Sequence, residues 1–232
     1  MPKFDQDAFN RFVLDHHVVG FFEKAITLKS GRTSNWYVNW RSAASDAFLL
    51  DQLGDFVVDF IETRGLDVDC IYGVPEGATK IGVVATLKRA RRSPKFAVGS
   101  HAVPMGRAKP KEHGDPKDHF FVGEPRGKTL VLEDVTTTGG SLLSAVENLL
   151  AANINIVAAV GLTNRMERRD DGWSVKEAME KKLGGRVPYL AMSDALQLLP
   201  LAASRQPPSE KILAAIEEEF KTYGVSPIRW EQ

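Results

Sequence analysis

The spacing of apolar residues changes several times along the chain, and each change marks an element. Phe9, Phe12, Val13 and His16 recur at helical intervals, so the chain opens on an amphipathic helix. In "ITLKSGRTSNWYVNWRSA" Ser, Gly and Asn break that period and aromatics cluster, which predicts short strands and a loop. Ser45 and Asp46 are placed to cap a helix with the stripe Phe48, Leu49, Leu53, Phe56, Val57, Phe60 and Ile61, ending near Gly65. Beyond it strand and helix patterns alternate. "VDCIYG" reads as a buried strand, the turn "VPEGATK" leads into a helix to about Arg91, and "KFAVGS" reads as a second strand. "KTLVLEDV" is a third, followed by the helix "SLLSAVENLLAA", while "INIVAAVGL" and "RVPYLAM" are a fourth and a fifth. Near the end, "PPSEKILAAIEEEFKTYG" joins a Pro-Ser helix start to an Ala-Ile-Phe stripe. This alternation predicts an α/β fold with a mainly parallel central sheet flanked by helices.

Composition narrows the classes of function. The 232 residues are 43% hydrophobic and 26% charged, as in an ordinary globular protein with one sizeable core. Thirty basic residues balance thirty acidic ones, so bulk charge points to neither nucleic acid nor a membrane surface. An anion site must therefore be local. Cys70, the single cysteine, excludes an intramolecular disulfide and a cysteine-rich metal site, and its apolar setting predicts a buried structural thiol. The N-terminus lacks the pattern of a signal peptide, and no apolar run approaches the roughly 20 residues of a membrane helix, so a cytoplasmic address is expected.

Two stretches carry most of the chemistry. In "VLEDVTTTGGS" a strand ends in two carboxylates, Glu133 and Asp134, and a hydroxyl- and glycine-rich turn then opens a helix. A helix N-terminus offers unpaired N–H groups and a positive dipole end, so Thr136, Thr137, Thr138, Gly139, Gly140 and Ser141 can cradle a phosphate. Carboxylates next to that cradle accept hydrogen bonds from sugar hydroxyls, and the combination suits a ribose 5-phosphate. An ordinary strand-to-helix turn with capping hydroxyls is the alternative. The absence of a Gly-Lys-Ser/Thr signature argues against a nucleoside triphosphatase. Between the second and third strands, "HAVPMGRAKPKEHGDPKDHFFVGEPRG" is too long and polar for a simple connection and has the character of a functional lid.

The segment "EDVTTTGGS" resembles the PRPP-binding motif of type I phosphoribosyltransferases. Three more segments resemble orotate phosphoribosyltransferases: "TLKSGRTSNWYVN", the loop "RAKPKEHG", and "LTNRMERRDDG" after the fourth strand. The resemblance implies that Glu133 and Asp134 hold the ribose hydroxyls and that Thr136 to Ser141 bind the 5-phosphate. It implies that Lys29 reaches both substrates, and that Tyr37, Thr137 and more loosely Trp36 lie at the pyrimidine. Arg165 would clamp orotate through paired hydrogen bonds, with Glu167, Arg168, Arg169 and two aspartates as a solvated turn beside it. Arg107, Lys109, Lys111 and His113 form the catalytic loop in this reading, stabilising the departing pyrophosphate and reaching into the neighbour's site of a homodimer. Mg²⁺ would arrive on the PRPP diphosphate without a dedicated protein site.

The chain departs from its relatives where a lysine that meets pyrophosphate usually follows the first sheet strand. Gly77 stands there, and Lys80 either compensates or is a surface residue. Ala108 replaces a second basic residue of the loop, and Val38 an aromatic. A single phosphoribosyltransferase domain follows, with about 1–45 as N-terminal helix and hood, about 46–205 as core and about 206–232 as C-terminal helix and tail. The length leaves no room for a fused decarboxylase. The implied activity is phosphoribosyl transfer from PRPP to orotate in UMP biosynthesis. Transfer to another base and a non-catalytic PRPP or nucleotide sensor are the alternatives.

Overall fold

Burial that alternates residue by residue organises the sheet in the computed structural model, which describes residues 3–109, 111, 113 and 120–230. The core strands are β3 (Cys70–Gly73), β4 (Thr129–Thr136), β5 (Ile156–Asn164) and β6 (Tyr189–Asp194), parallel and in that order. Leu130, Leu132, Ala158, Val160 and Leu162 face one core, whereas Val131 and Ala159 between them face a second. Apolar side chains on both faces demand cover on both faces. The first is covered by α1 (Gln6–Asp15), α3 (Ala47–Thr63), α4 (Thr79–Arg92), α7 (Ala195–Arg205) and α8 (Glu210–Tyr223). The second is covered by α5 (Gly140–Ala151) and α6 (Val175–Leu183). Over the first face also lies a hood, the antiparallel hairpin of β1 (Val19–Thr27) and β2 (Thr33–Val38), followed by the short α2 (Trp40–Ala43).

Local signals explain most boundaries. The Asp46 carboxylate accepts the Leu49 N–H and starts α3, and Gly65 in the left-handed region follows its end. Ser209 precedes α8 as the Pro-Ser signal predicts. Cys70 is buried, and burial pushes its thiol up, as a structural cysteine requires. No helix among the described residues is long and apolar enough to cross a membrane.

Two expectations fail. "KFAVGS" forms no strand: Ala97 and Ser100 close a turn on each other, and Val98 is fully exposed. Pro94 precedes the segment, and Gly99 within it has φ +79°, which breaks an extended run. The sheet has four strands rather than five. In the long connection the described flanks pair as a stalk, with the Gly106–Phe121 bridge flanked by Arg107 N–Phe120 O at 3.0 Å and Val122 N–Met105 O at 2.7 Å. The pattern also left α6 unassigned, although Ser174 and Glu177 form a capping box at its start.

The end of β3 meets the start of α4 backbone to backbone. A Cβ on Gly73 would stand 2.1 Å from the Ala78 carbonyl oxygen, and one on Gly82 would stand 2.7 Å from the Gly73 nitrogen. Gly73→Ala is therefore expected to destabilise the fold by about 1–3 kcal/mol through overpacking, read as a lower urea midpoint. An unchanged midpoint would mean that α4 moves away at no cost.

Candidate active site

The carboxyl ends of the parallel strands open into a cavity of about 1150 Å³, where ligands bind in open α/β sheets. Glu133 and Asp134 end β4 on its floor. Glu133 is 5% exposed and lies opposite Gly161 of β5, whereas Asp134 is half-buried. Burial first, then the charge of Asp134, pushes the Glu133 carboxyl up from 4.5 to about 9. Its protonated form is therefore favoured at neutral pH.

Asp134 also lies directly against Gly77. A Cβ on Gly77 would lie 2.0 Å from Asp134 Oδ2, so the carboxylate occupies the volume a side chain there would need. Lys80 is exposed on α4 and does not line the cavity. Among the described residues the cations that line it are Lys29, Arg41, Arg107 and Arg165. Sequence reading missed Arg41. Its only signal is its place directly after the aromatic β2 segment, which is not specific.

Thr137, Thr138, Gly139, Gly140 and Ser141 line the cavity where α5 begins. Gly139 has φ +70°, a left-handed conformation that favours glycine, and no side chain caps the helix. Its first N–H groups are thus left for an anion. Thr136 departs from expectation. Its side chain is buried and shares a 2.5 Å hydrogen bond with the Tyr189 hydroxyl, because at this β4 position it points away from the cavity. From the hood, Lys29 Nζ donates to Ser141 Oγ at 3.0 Å, bringing two predicted residues from distant elements together.

Strand parity separates the two hood aromatics. Tyr37 lines the cavity, whereas Trp36 is wholly buried on the opposite face with its ring 3.6 Å from the Arg165 guanidinium carbon. Trp36 thus supports an arginine and does not flank a base. Arg165 itself is 1% exposed. Nε donates to Glu167 at 2.6 Å, Nη2 to Glu219 at 2.8 Å and Ser34 Oγ at 3.0 Å, and Nη1 to the Trp36 carbonyl at 3.5 Å. Of five guanidinium N–H groups, this leaves one on Nη1, so the expected two-pronged clamp reduces to a single donor.

The turn after Arg165 is not merely solvated. Glu167 is buried and also accepts from Arg32 at 3.0 Å, and Arg32 reaches Asp170 at 2.7 Å. Arg169 is half-buried, and only Arg168, Asp170 and Asp171 are exposed. Local pattern reads Glu167 as part of a solvated turn, because Arg32, its partner on the hood, lies 135 residues away and out of reach. On the stalk, Arg107 lines the cavity, while Lys109, Lys111 and His113 are exposed and do not. Pro110, Glu112 and residues 114–119 of the same loop lie outside the described residues.

No family model matches the chain. It is 31% identical over 182 residues to an orotate phosphoribosyltransferase of Bradyrhizobium sp., covering 75% of this chain and 88% of that one. An orotate phosphoribosyltransferase of Mannheimia succiniciproducens is 29% identical over 227 residues, 97% of this chain and all of its relative. Among solved structures, the orotate phosphoribosyltransferase of Francisella tularensis has the same fold, with a TM-score of 0.66 at 21% identity over 94% of this chain and 99% of that one. On the likeness to the Bradyrhizobium protein, together with the acid pair, uncapped helix and hood lysine around one cavity, the chain belongs to the orotate phosphoribosyltransferase family.

Proposed function

We propose that the protein transfers the 5-phosphoribosyl group of PRPP to orotate, giving orotidine 5-phosphate and pyrophosphate for pyrimidine synthesis. The observation that carries this reading is the acid pair of β4 beside an uncapped helix N-terminus, with Lys29 bonded across to Ser141. The 5-phosphate takes the N–H groups and hydroxyls of Thr137 to Ser141. The ribose hydroxyls meet Asp134, an acceptor, and protonated Glu133, which donates as well as accepts. Orotate lies by Tyr37, with Lys29 and the remaining Nη1 donor of Arg165 toward its polar edges. Ionised orotate displaces pyrophosphate at an anomeric carbon with oxocarbenium character. No protein nucleophile is required, and the chain contributes position and electrostatics.

Arg41 and Arg107 are the cavity cations left to meet the pyrophosphate, since Gly77 offers none. The Asp134 carboxylate fits a hard cation carried by the diphosphate, and magnesium, which keeps most of its waters, needs few protein ligands. When bound it neutralises charge on the leaving group. The exposed Lys109, Lys111 and His113, away from their own cavity, support a homodimer in which this loop serves the neighbouring site. Once closed there, the loop would exclude water from the anomeric carbon and aid the departing pyrophosphate. A cytoplasmic location belongs to the same reading.

The direct test supplies PRPP and magnesium with orotate, uracil, hypoxanthine or adenine in turn. Turnover with orotate alone is expected; turnover with a purine but not orotate would overturn the substrate, and PRPP binding without any turnover would favour a sensor. Asp134→Ala should weaken PRPP binding by about 10–100-fold, through loss of a charged acceptor, and an unchanged affinity would remove the ribose assignment. Glu133 gives a pH signature. Its folded value lies above its unfolded one, so its contribution to stability is fully present below 4.5 and is lost as pH rises toward about 9. The melting temperature of Glu133→Gln minus that of wild type should therefore grow between about pH 6 and pH 9, whereas a constant difference would show that Glu133 ionises normally.

A further inference from the structure

The turn between β5 and α6 carries two cations that the proposed chemistry leaves unused, Arg168 and Arg169, and the second reaches the loop that opens α5. Arg169 does not line the cavity, yet its Nη1 donates to the carbonyl oxygen of Thr138 at 2.7 Å, across 31 residues of chain. The base of the side chain is fixed by the turn itself: Arg169 N donates to Trp173 O at 2.8 Å, Gly172 N to Arg169 O at 2.9 Å, and Nε to Asp171 at 3.2 Å. The Lys181 ammonium lies 4.6 Å from the centre of the Trp173 ring, closing the turn from outside. Two residues further on, Val175 packs against the next residue of the phosphate loop. A Cβ on Gly139 would stand 2.8 Å from Val175 Cγ1.

Thr138 and Gly139 are thus each held from behind, one by a charged hydrogen bond and one by packing. The loop needs such support, because no side chain caps α5 from within it. It also matters which way the Thr138 peptide faces. A carbonyl oxygen turned into the cavity would repel a phosphate, and Arg169 draws that oxygen to the opposite side. We infer that Arg169 is a positioning residue: by holding the Thr138 carbonyl away from the cavity it keeps the loop in its anion-binding form and so sets the affinity for PRPP. The inference rests on the reading that Thr137 to Ser141 bind the 5-phosphate.

The test compares Arg169→Ala, Arg169→Lys and Ser141→Ala in steady-state kinetics, with ribose 5-phosphate binding measured on each. Arg169→Ala is expected to raise the KM for PRPP and weaken ribose 5-phosphate by about tenfold, leaving kcat and the orotate KM within about twofold. Arg169→Lys keeps a cationic donor and should recover most of the loss. If Ser141→Ala weakens PRPP but Arg169→Ala does not, the inference fails and the phosphate assignment stands. If Ser141→Ala leaves both PRPP and ribose 5-phosphate unaffected, the phosphate assignment fails and the inference with it. Equal rises in both substrate KM values, without rescue by lysine, would reduce Arg169 to a residue of the fold.

Discussion

A guanidinium taken out of water governs how the rest of this structure is assembled. Arg165 is buried at the end of β5, where an unpaired charge would cost several kcal/mol. Its partners come from three places: Glu167 from its own turn, Ser34 and Trp36 from the hood, and Glu219 from the C-terminal helix. Arg32 then satisfies the second oxygen of Glu167. Two cations and two carboxylates make the buried cluster neutral, the condition under which it is tolerated. Losing one carboxylate would cost about 3–5 kcal/mol, because the remaining charges would stay buried without a partner. Hood, β5 turn and α8 are therefore fixed to one another by charge as well as by packing, and the place of Lys29 and Tyr37 over the cavity follows from that.

The same neutrality limits what Arg165 can do for a ligand. A guanidinium already balanced by two carboxylates presents direction more than net charge. In the proposed reaction it reads the edge of a planar base, while attraction for the anionic substrates falls to Lys29, Arg41, Arg107 and the start of α5. Glu133 works in the same sense. By favouring its protonated form it would spare the floor of the proposed phosphate site a negative charge. Paired carboxylates next to a phosphate loop are contradictory only if both are ionised.

Much of this was legible in the sequence where the determinant is local. The alternation of strands and helices, the cap at Asp46 and the acid–hydroxyl–glycine run of residues 133–141 each rest on neighbours a few positions apart. Parity would also have separated Tyr37 from Trp36, since Ser34, Trp36 and Val38 are the buried set of β2. What was not legible depends on distant partners. Glu219 meets Arg165 across 54 residues, and Arg169 meets Thr138 across 31, so their charges looked like solvent-facing ones. "KFAVGS" misled for the reverse reason: its composition suits a strand, but its residues close a local turn between Ala97 and Ser100 and leave Val98 exposed.

Gly77 shows how one steric exclusion distributes a task over the fold. With the Asp134 carboxylate where it stands, the space beside the last residues of β4 has no room for a side chain at position 77. With the carboxylate there, the ribose-phosphate end of the proposed site is built wholly on the sheet edge and the helix that follows it, elements with dense backbone pairing. The pyrophosphate end then has no cation on the sheet and draws Arg41 from the hood and Arg107 from the stalk. The stalk is anchored where Phe121 packs into the second core and Gly106 lies against the Tyr72 hydroxyl, while the described residues from Ala108 to Phe120 are exposed. In the proposed reaction the phosphoribosyl part is thus held from the sheet and the start of α5, and the leaving group from segments outside the sheet.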